Sequence, residues 1–123
     1  MSSRYPGLTL RILGSGDPAM GPGKAALIAH IESTGSISAA AREMGMSYRR
    51  AWQLVEAINN SFSEPVIVTV TGGRRGGGAA VTDYGRALVA QYRAMEEKAS
   101  AAIAGDIVQF TTQLRRRTVR RKT

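Results

Sequence analysis

The 123-residue chain has no cysteine, which excludes a disulfide framework and any thiolate metal site. It has one histidine and nine scattered acidic residues, so few groups are paired for acid–base chemistry and no enzyme is expected. Asp83 and Glu96 are the only pair worth weighing as a hydrolytic set, and they read more simply as a helix cap and a surface charge. The single His30 reads as a helix residue rather than a ligand or base. No apolar run reaches the ~20 residues of a membrane span. The N-terminus lacks the apolar core of a signal peptide. The expected location is therefore the cytoplasm, with no membrane partner.

What the chain does have is positive charge. Lys and Arg number 17, and the formal net charge is +8, which points to a polyanionic partner. The charge is unevenly spread. Six of those cations, Arg115, Arg116, Arg117, Arg120, Arg121 and Lys122, fall in the last nine residues, and the rest of the chain carries only +2. Hydrophobic residues make up 43%, enough for one folded domain of ordinary size. Any case for nucleic acid in that domain rests on where its charges sit.

Leu8, Leu10 and Ile12 alternate with Thr9, Arg11 and Leu13 and predict a short strand. Residues 14–23, GSGDPAMGPG, read as a loop. Lys24 to Thr34 read as a helix with a stripe of Leu27, Ile28 and Ile31, ended by Gly35. A second helix is expected from about Ser38, with Ser36 and Ser38 both able to cap its start. Gly45 supplies the turn that follows. A third helix begins after Ser47 and runs to about Ile58. Ala51, Trp52, Val55 and Ile58 make its buried face, and Asn59-Asn60 and Pro65 close it.

Val66 to Val70 predict a strand, TGGRRGGG (Thr71 to Gly78) a hairpin loop, and Ala79 to Val81 the returning strand. Thr82-Asp83 caps a long helix. Its Leu88, Tyr92, Met95, Ala99 and Ala102 are spaced by 4, 3, 4 and 3, a seam of about two heptads. Gly105-Asp106 is expected to interrupt it. Ile107 to Leu114 has no decisive period, and the arginine-rich end is expected to be disordered.

Gly35 to Ile58 therefore has the plan of a helix-turn-helix, whose second helix lies in the DNA major groove. Tyr48, Arg49, Arg50 and Gln53 fall on the outer surface of that helix. Arg can bond guanine bidentately, and Gln can do the same with adenine. Two arginines at the positive end of a helix dipole also suggest an anionic partner. Ser36, Ser38 and Ser47 can cap helices or touch phosphates. Arg74 and Arg75 at the hairpin tip suit phosphate or the minor groove. Lys24 could reach the backbone. Trp52 reads as core, and the basic tail as a source of sequence-independent affinity.

The residues GSISAAAREMGMSYRRAW, followed by the hairpin and by VTDYGRAL, resemble the DNA-binding domain of the ModE family of molybdate-responsive bacterial regulators, itself related to the winged helix of LysR-type regulators. The resemblance spans roughly Leu8 to Ile103. It implies a mainly α fold with a small β-hairpin wing, a winged helix-turn-helix with a long C-terminal dimerisation helix. It also implies a homodimer seamed by Leu88, Tyr92, Met95 and Ala99, bound to double-stranded DNA as an inverted repeat. Domain boundaries are expected at 1–103 for this unit and 104–123 for a basic extension.

Complete ModE proteins also carry C-terminal molybdate-binding domains. The 20 residues after Ile103 are too few for one, so no cofactor is expected and molybdate is unsupported by the length of the chain. The resemblance suggests regulation of molybdenum transport or metabolism genes. Three other readings stay open: a non-specific architectural DNA-binding protein, a winged helix used as a protein-interaction module, and oxyanion sensing kept without the extra domains, with molybdate at a dimer interface.

Overall fold

A computed structural model describes residues 7–16, 18–70 and 78–115. The elements run β1 (Ile12–Leu13), β2 (Pro18–Met20), α1 (Pro22–Thr34), α2 (Ile37–Glu43), α3 (Tyr48–Ser61), β3 (Ile67–Val70), β4 (Gly78–Val81) and α4 (Asp83–Thr111). Helices α1, α2 and α3 pack around a core that includes Leu27, Ile31, Ala40, Ala51, Val55 and Ile58. The alanines let α2 approach both neighbours closely, and burial of the larger aliphatic chains stabilises the bundle. The β3–β4 hairpin is antiparallel, pairing Ile67 with Val81 and Val70 with Gly78. Val66, Ile67, Ala79 and Val81 turn their side chains into the same core.

The ends of the helices follow the sequence chemistry. Gly35 and Gly45 have φ of 71° and 69°, where a side chain would be strained. The Gly35 N–H closes α1 on the Ile31 carbonyl at 2.8 Å, and its own carbonyl accepts from Ala79 N at 2.9 Å. The loop-proximal end of β4 is thereby tied to the α1–α2 junction. Ser36, Ser47 and Thr82 cap α2, α3 and α4, each accepting from the backbone N–H three residues on.

Several expectations are corrected. The first strand is only Ile12–Leu13, and it pairs with β2, which lies inside the expected loop. Helix α1 starts at Pro22, whose fixed φ suits the first turn. Ser36, not Ser38, caps α2. Helix α3 runs past Asn59-Asn60 to Ser61. Helix α4 continues through Gly105-Asp106 to Thr111, with its one departure from helical geometry at Ile103 (φ −119°, ψ 17°). Glu96 is no surface charge: it is 1% exposed. Its Oε1 accepts from Arg93 Nη1 at 2.8 Å, and its Oε2 has no hydrogen-bond partner among the described residues.

The hairpin and α4 meet at Thr82 and Gly85. Thr82 N donates to the Val66 carbonyl at 2.9 Å, and Thr82 Oγ1 donates to the Pro65 carbonyl at 2.7 Å. A Cβ on Gly85 would stand 2.6 Å from the Val66 oxygen. Glycine to alanine in a helix ordinarily gains up to ~1 kcal/mol. Here the overlap is with backbone that cannot swing aside, at a cost of about 1–3 kcal/mol. Gly85→Ala is therefore expected to lower the melting temperature by roughly 5–10 °C. Gly105→Ala, with open space around its Cβ, is expected to raise it slightly. Equal responses of the two variants in a calorimetric melt would refute the steric account.

Candidate nucleic-acid interface

Helix α3 is held by one face and free on the other. Ala51, Val55 and Ile58 are buried at 0, 2 and 0% exposure, which fixes the axis of the helix. Ser47 Oγ accepts from Arg50 N at 3.0 Å and sets its start. Tyr48, Arg49, Arg50 and Gln53 are all exposed. Among the described residues neither arginine has a carboxylate partner. Tyr48 stands edge-on to Trp52, with ring centroids 6.3 Å apart. Trp52 is only half-buried, so it is a shoulder between core and surface rather than part of the core proper.

The first turns of α2 and α3 face the hairpin across a cleft of about 260 Å³. Ser36, Ser38, Tyr48, Trp52 and Thr69 line it, and none of its lining residues among the described ones is charged. Ser36 Oγ is occupied as a cap, accepting from Ala39 N at 3.0 Å, whereas Ser38 is exposed with its hydroxyl 3.4 Å from that of Ser36. The structure thus brings Ser36, Ser38 and Tyr48 together beside β3 and β4, whereas Arg50 and Gln53 line a separate cleft against the start of α1, and Ser47 and Arg49 line neither. Arg74 and Arg75 lie outside the described residues, as does the tail beyond Arg115.

The expected seam on α4 is divided. Leu88 is half-buried against the core, Met95 is 38% exposed and Ala99 is partly exposed. Tyr92 is 3% exposed within its own chain, and its hydroxyl donates to the Leu10 carbonyl at 2.7 Å. Burial, with the Glu96 carboxylate beside it, pushes the Tyr92 phenol up to about 12. Tyr92 therefore anchors the N-terminal segment to α4 and is not available to a seam. Beyond Ile103 the helix exposes Val108 and Phe110, at 68% and 69%.

Asn59 is the positioning residue that the sequence reading passed over. Its Nδ2 donates to the Ile67 carbonyl at 2.8 Å. Its Oδ1 accepts from Val66 N at 2.8 Å and Ile67 N at 3.1 Å. One side chain on α3 thereby fixes where β3 departs. The signal available was a polar residue one turn past the apolar stripe, which is also how a helix end reads.

No protein-family model matches the chain. It is 52% identical over 77 residues to the molybdenum-pterin-binding protein MopB of Rhodobacter capsulatus, covering 63% of this chain and 28% of MopB. It is 47% identical over 77 residues to the molybdenum transport protein ModE of Azotobacter vinelandii, again 63% of this chain and 28% of the relative. Identity to the DNA-binding transcriptional dual regulator ModE of Escherichia coli (strain K12) is 38% over 71 residues, 58% of this chain and 27% of that protein. The matches thus span little more than a quarter of each relative's length, and none of these names is an enzyme's. The fold is similar to the crystal structure of a LysR family transcriptional regulator, with a TM-score of 0.53 and 14% identity over 75% of this chain and 30% of that one. Among the described residues no helix is long and apolar enough to cross a membrane. The helix and hairpin geometry, the matched segment and the fold agree: this chain carries a winged helix-turn-helix domain similar to the matched quarter of these ModE and MopB relatives.

Proposed function

We propose that the chain is a sequence-specific DNA-binding regulator of transcription, acting as a homodimer on an inverted repeat near genes of molybdenum transport or metabolism. The observation that carries this reading is the outer face of α3. Tyr48, Arg49, Arg50 and Gln53 project from a helix locked by its opposite face, with two guanidinium groups that no described carboxylate neutralises. Arg and Gln there match the donor and acceptor pattern of base edges in the major groove. The β3–β4 wing sits where it would follow the adjacent backbone. The exposed apolar side chains of α4 beyond Tyr92 supply a surface for a second copy. The choice of genes rests on the names of the relatives alone.

Selection of bound sequences from random duplexes at physiological salt tests the reading, run beside a version lacking residues 115–123. The expected result is an inverted repeat with half-sites about 10 bp apart, enriched with and without the tail. Absence of enrichment, with binding that collapses when the tail is removed, would instead identify charge-driven coating of DNA.

A further inference from the structure

On the side of α3 away from the wing lies a second cleft, of about 750 Å³, between the start of α1, the α2–α3 turn and α3 itself. Three cations from three parts of the chain converge on it: Arg11 before β1, Lys24 in the first turn of α1, and Arg50 on α3. No carboxylate is among the described residues that line it, and none of the three cations has an ion-pair partner among the described residues. From these observations we infer that this cleft is a second phosphate-binding wall, in which Arg11 and Lys24 hold the DNA backbone on the flank of the major groove opposite the wing. The inference rests on the DNA-binding reading above and extends it.

The two cations outside α3 are placed in advance. Lys24 Nζ donates to the Pro18 carbonyl at 2.6 Å, which holds the ammonium at the rim and leaves two of its three N–H bonds free. Arg11 lies against the bare backbone of Gly21: a Cβ there would stand 3.2 Å from Arg11 Cγ. Strand β2, which sequence reasoning did not foresee, is what brings Pro18 and Gly21 alongside these side chains. Like charges gathered with no counter-charge among the described residues repel one another and favour an anion between them.

The groove geometry selects a polyanion. A helix fills the width of the major groove, about 12 Å, so a phosphate strand runs along each flank of it. On the wing flank of α3 the described residues that line the cleft offer hydroxyls and no charge. On the other flank Arg50 belongs to both the base-reading face and the cationic cleft, so DNA that meets the first must pass the second. Arg11 and Lys24 then act as point charges on the backbone, and they contribute to affinity without choosing bases.

The test is the salt dependence of binding of the selected duplex by the double variant Arg11→Gln, Lys24→Gln. Glutamine at 24 keeps an N–H donor, on a side chain one bond shorter, and removes the charge. Loss of two phosphate contacts is expected to reduce the slope of log K against log salt by about 1.8. The affinity deficit would then be about tenfold larger at 50 mM than at 200 mM salt. The deficit should be equal on selected and random duplexes, and Arg11→Lys, Lys24→Arg should restore the slope. Ethylation interference on the unaltered protein reads the same contacts without relying on a variant's folding. It is expected to mark phosphates on both flanks of each half-site. An unchanged slope, or interference confined to the wing flank, overturns the inference while leaving the DNA reading intact. Failure of the unaltered protein to prefer any duplex overturns the DNA reading itself.

Discussion

Replacing Arg49 and Arg50 together by alanine is expected to lower affinity for the selected duplex by at least about 30-fold and to leave the fold intact. A bidentate arginine–guanine contact is worth about 1–3 kcal/mol of discrimination, so two such contacts put the loss at roughly 2–6 kcal/mol. Affinity for random duplex should fall much less, because only the charge is lost there, and the ratio between the two therefore narrows. Stability should move the other way. Both side chains are exposed and unpaired among the described residues, and both sit at the positive end of the α3 dipole. Their removal relieves an unfavourable interaction of about 0.3–1 kcal/mol and introduces a better helix former. The melting temperature should hold or rise while binding collapses. Undiminished affinity in this variant would remove α3 from the interface and favour a winged helix that docks on protein.

The structural features on which that expectation stands are legible in the sequence because they are local. Ser47 as a cap, Gly35 and Gly45 at positive φ, and the Ala51, Val55, Ile58 stripe are each decided within one turn of helix. What was not legible depended on partners far along the chain. Tyr92 shares a helical face with Leu88 and Met95, and periodicity cannot say whether that face meets a second copy or the chain's own N-terminal segment. The segment at Leu10 decides it. Glu96 looked like any charge on a long helix until its neighbours buried it against Arg93. Strand β2 has three residues, too few to alternate, and it lies among glycines and a proline that signal a loop. The convergence of Arg11, Lys24 and Arg50 follows from that strand and was hidden with it.

Asn59→Leu is expected to be among the most damaging single substitutions in the domain, although Asn59 is not among the residues assigned to DNA. Leucine matches asparagine roughly in size but strips partners from the Val66 and Ile67 N–H groups and the Ile67 carbonyl. Val66 and Ile67 are 0% and 3% exposed, so water reaches these groups poorly. An unsatisfied buried backbone group costs about 1–3 kcal/mol, and partial rewetting sets the expected total at about 2–4 kcal/mol. For a domain of this size the melting temperature should drop by more than about 10 °C. Asn59→Asp keeps the acceptor for both N–H groups and loses the donor to Ile67, so it should fall in between. Asn60→Ala, at the exposed neighbouring position, should stay within about 0.5 kcal/mol of the parent. The binding consequence separates positioning from mere stability. At a temperature where Asn59→Asp is fully folded, amide exchange in β3 and β4 should quicken and affinity for the selected duplex should fall, because the wing is no longer indexed to the recognition helix. Parent-like exchange in the hairpin of that variant, together with parent-like affinity, would show that the wing takes its position from the Thr82 and Gly35 contacts alone.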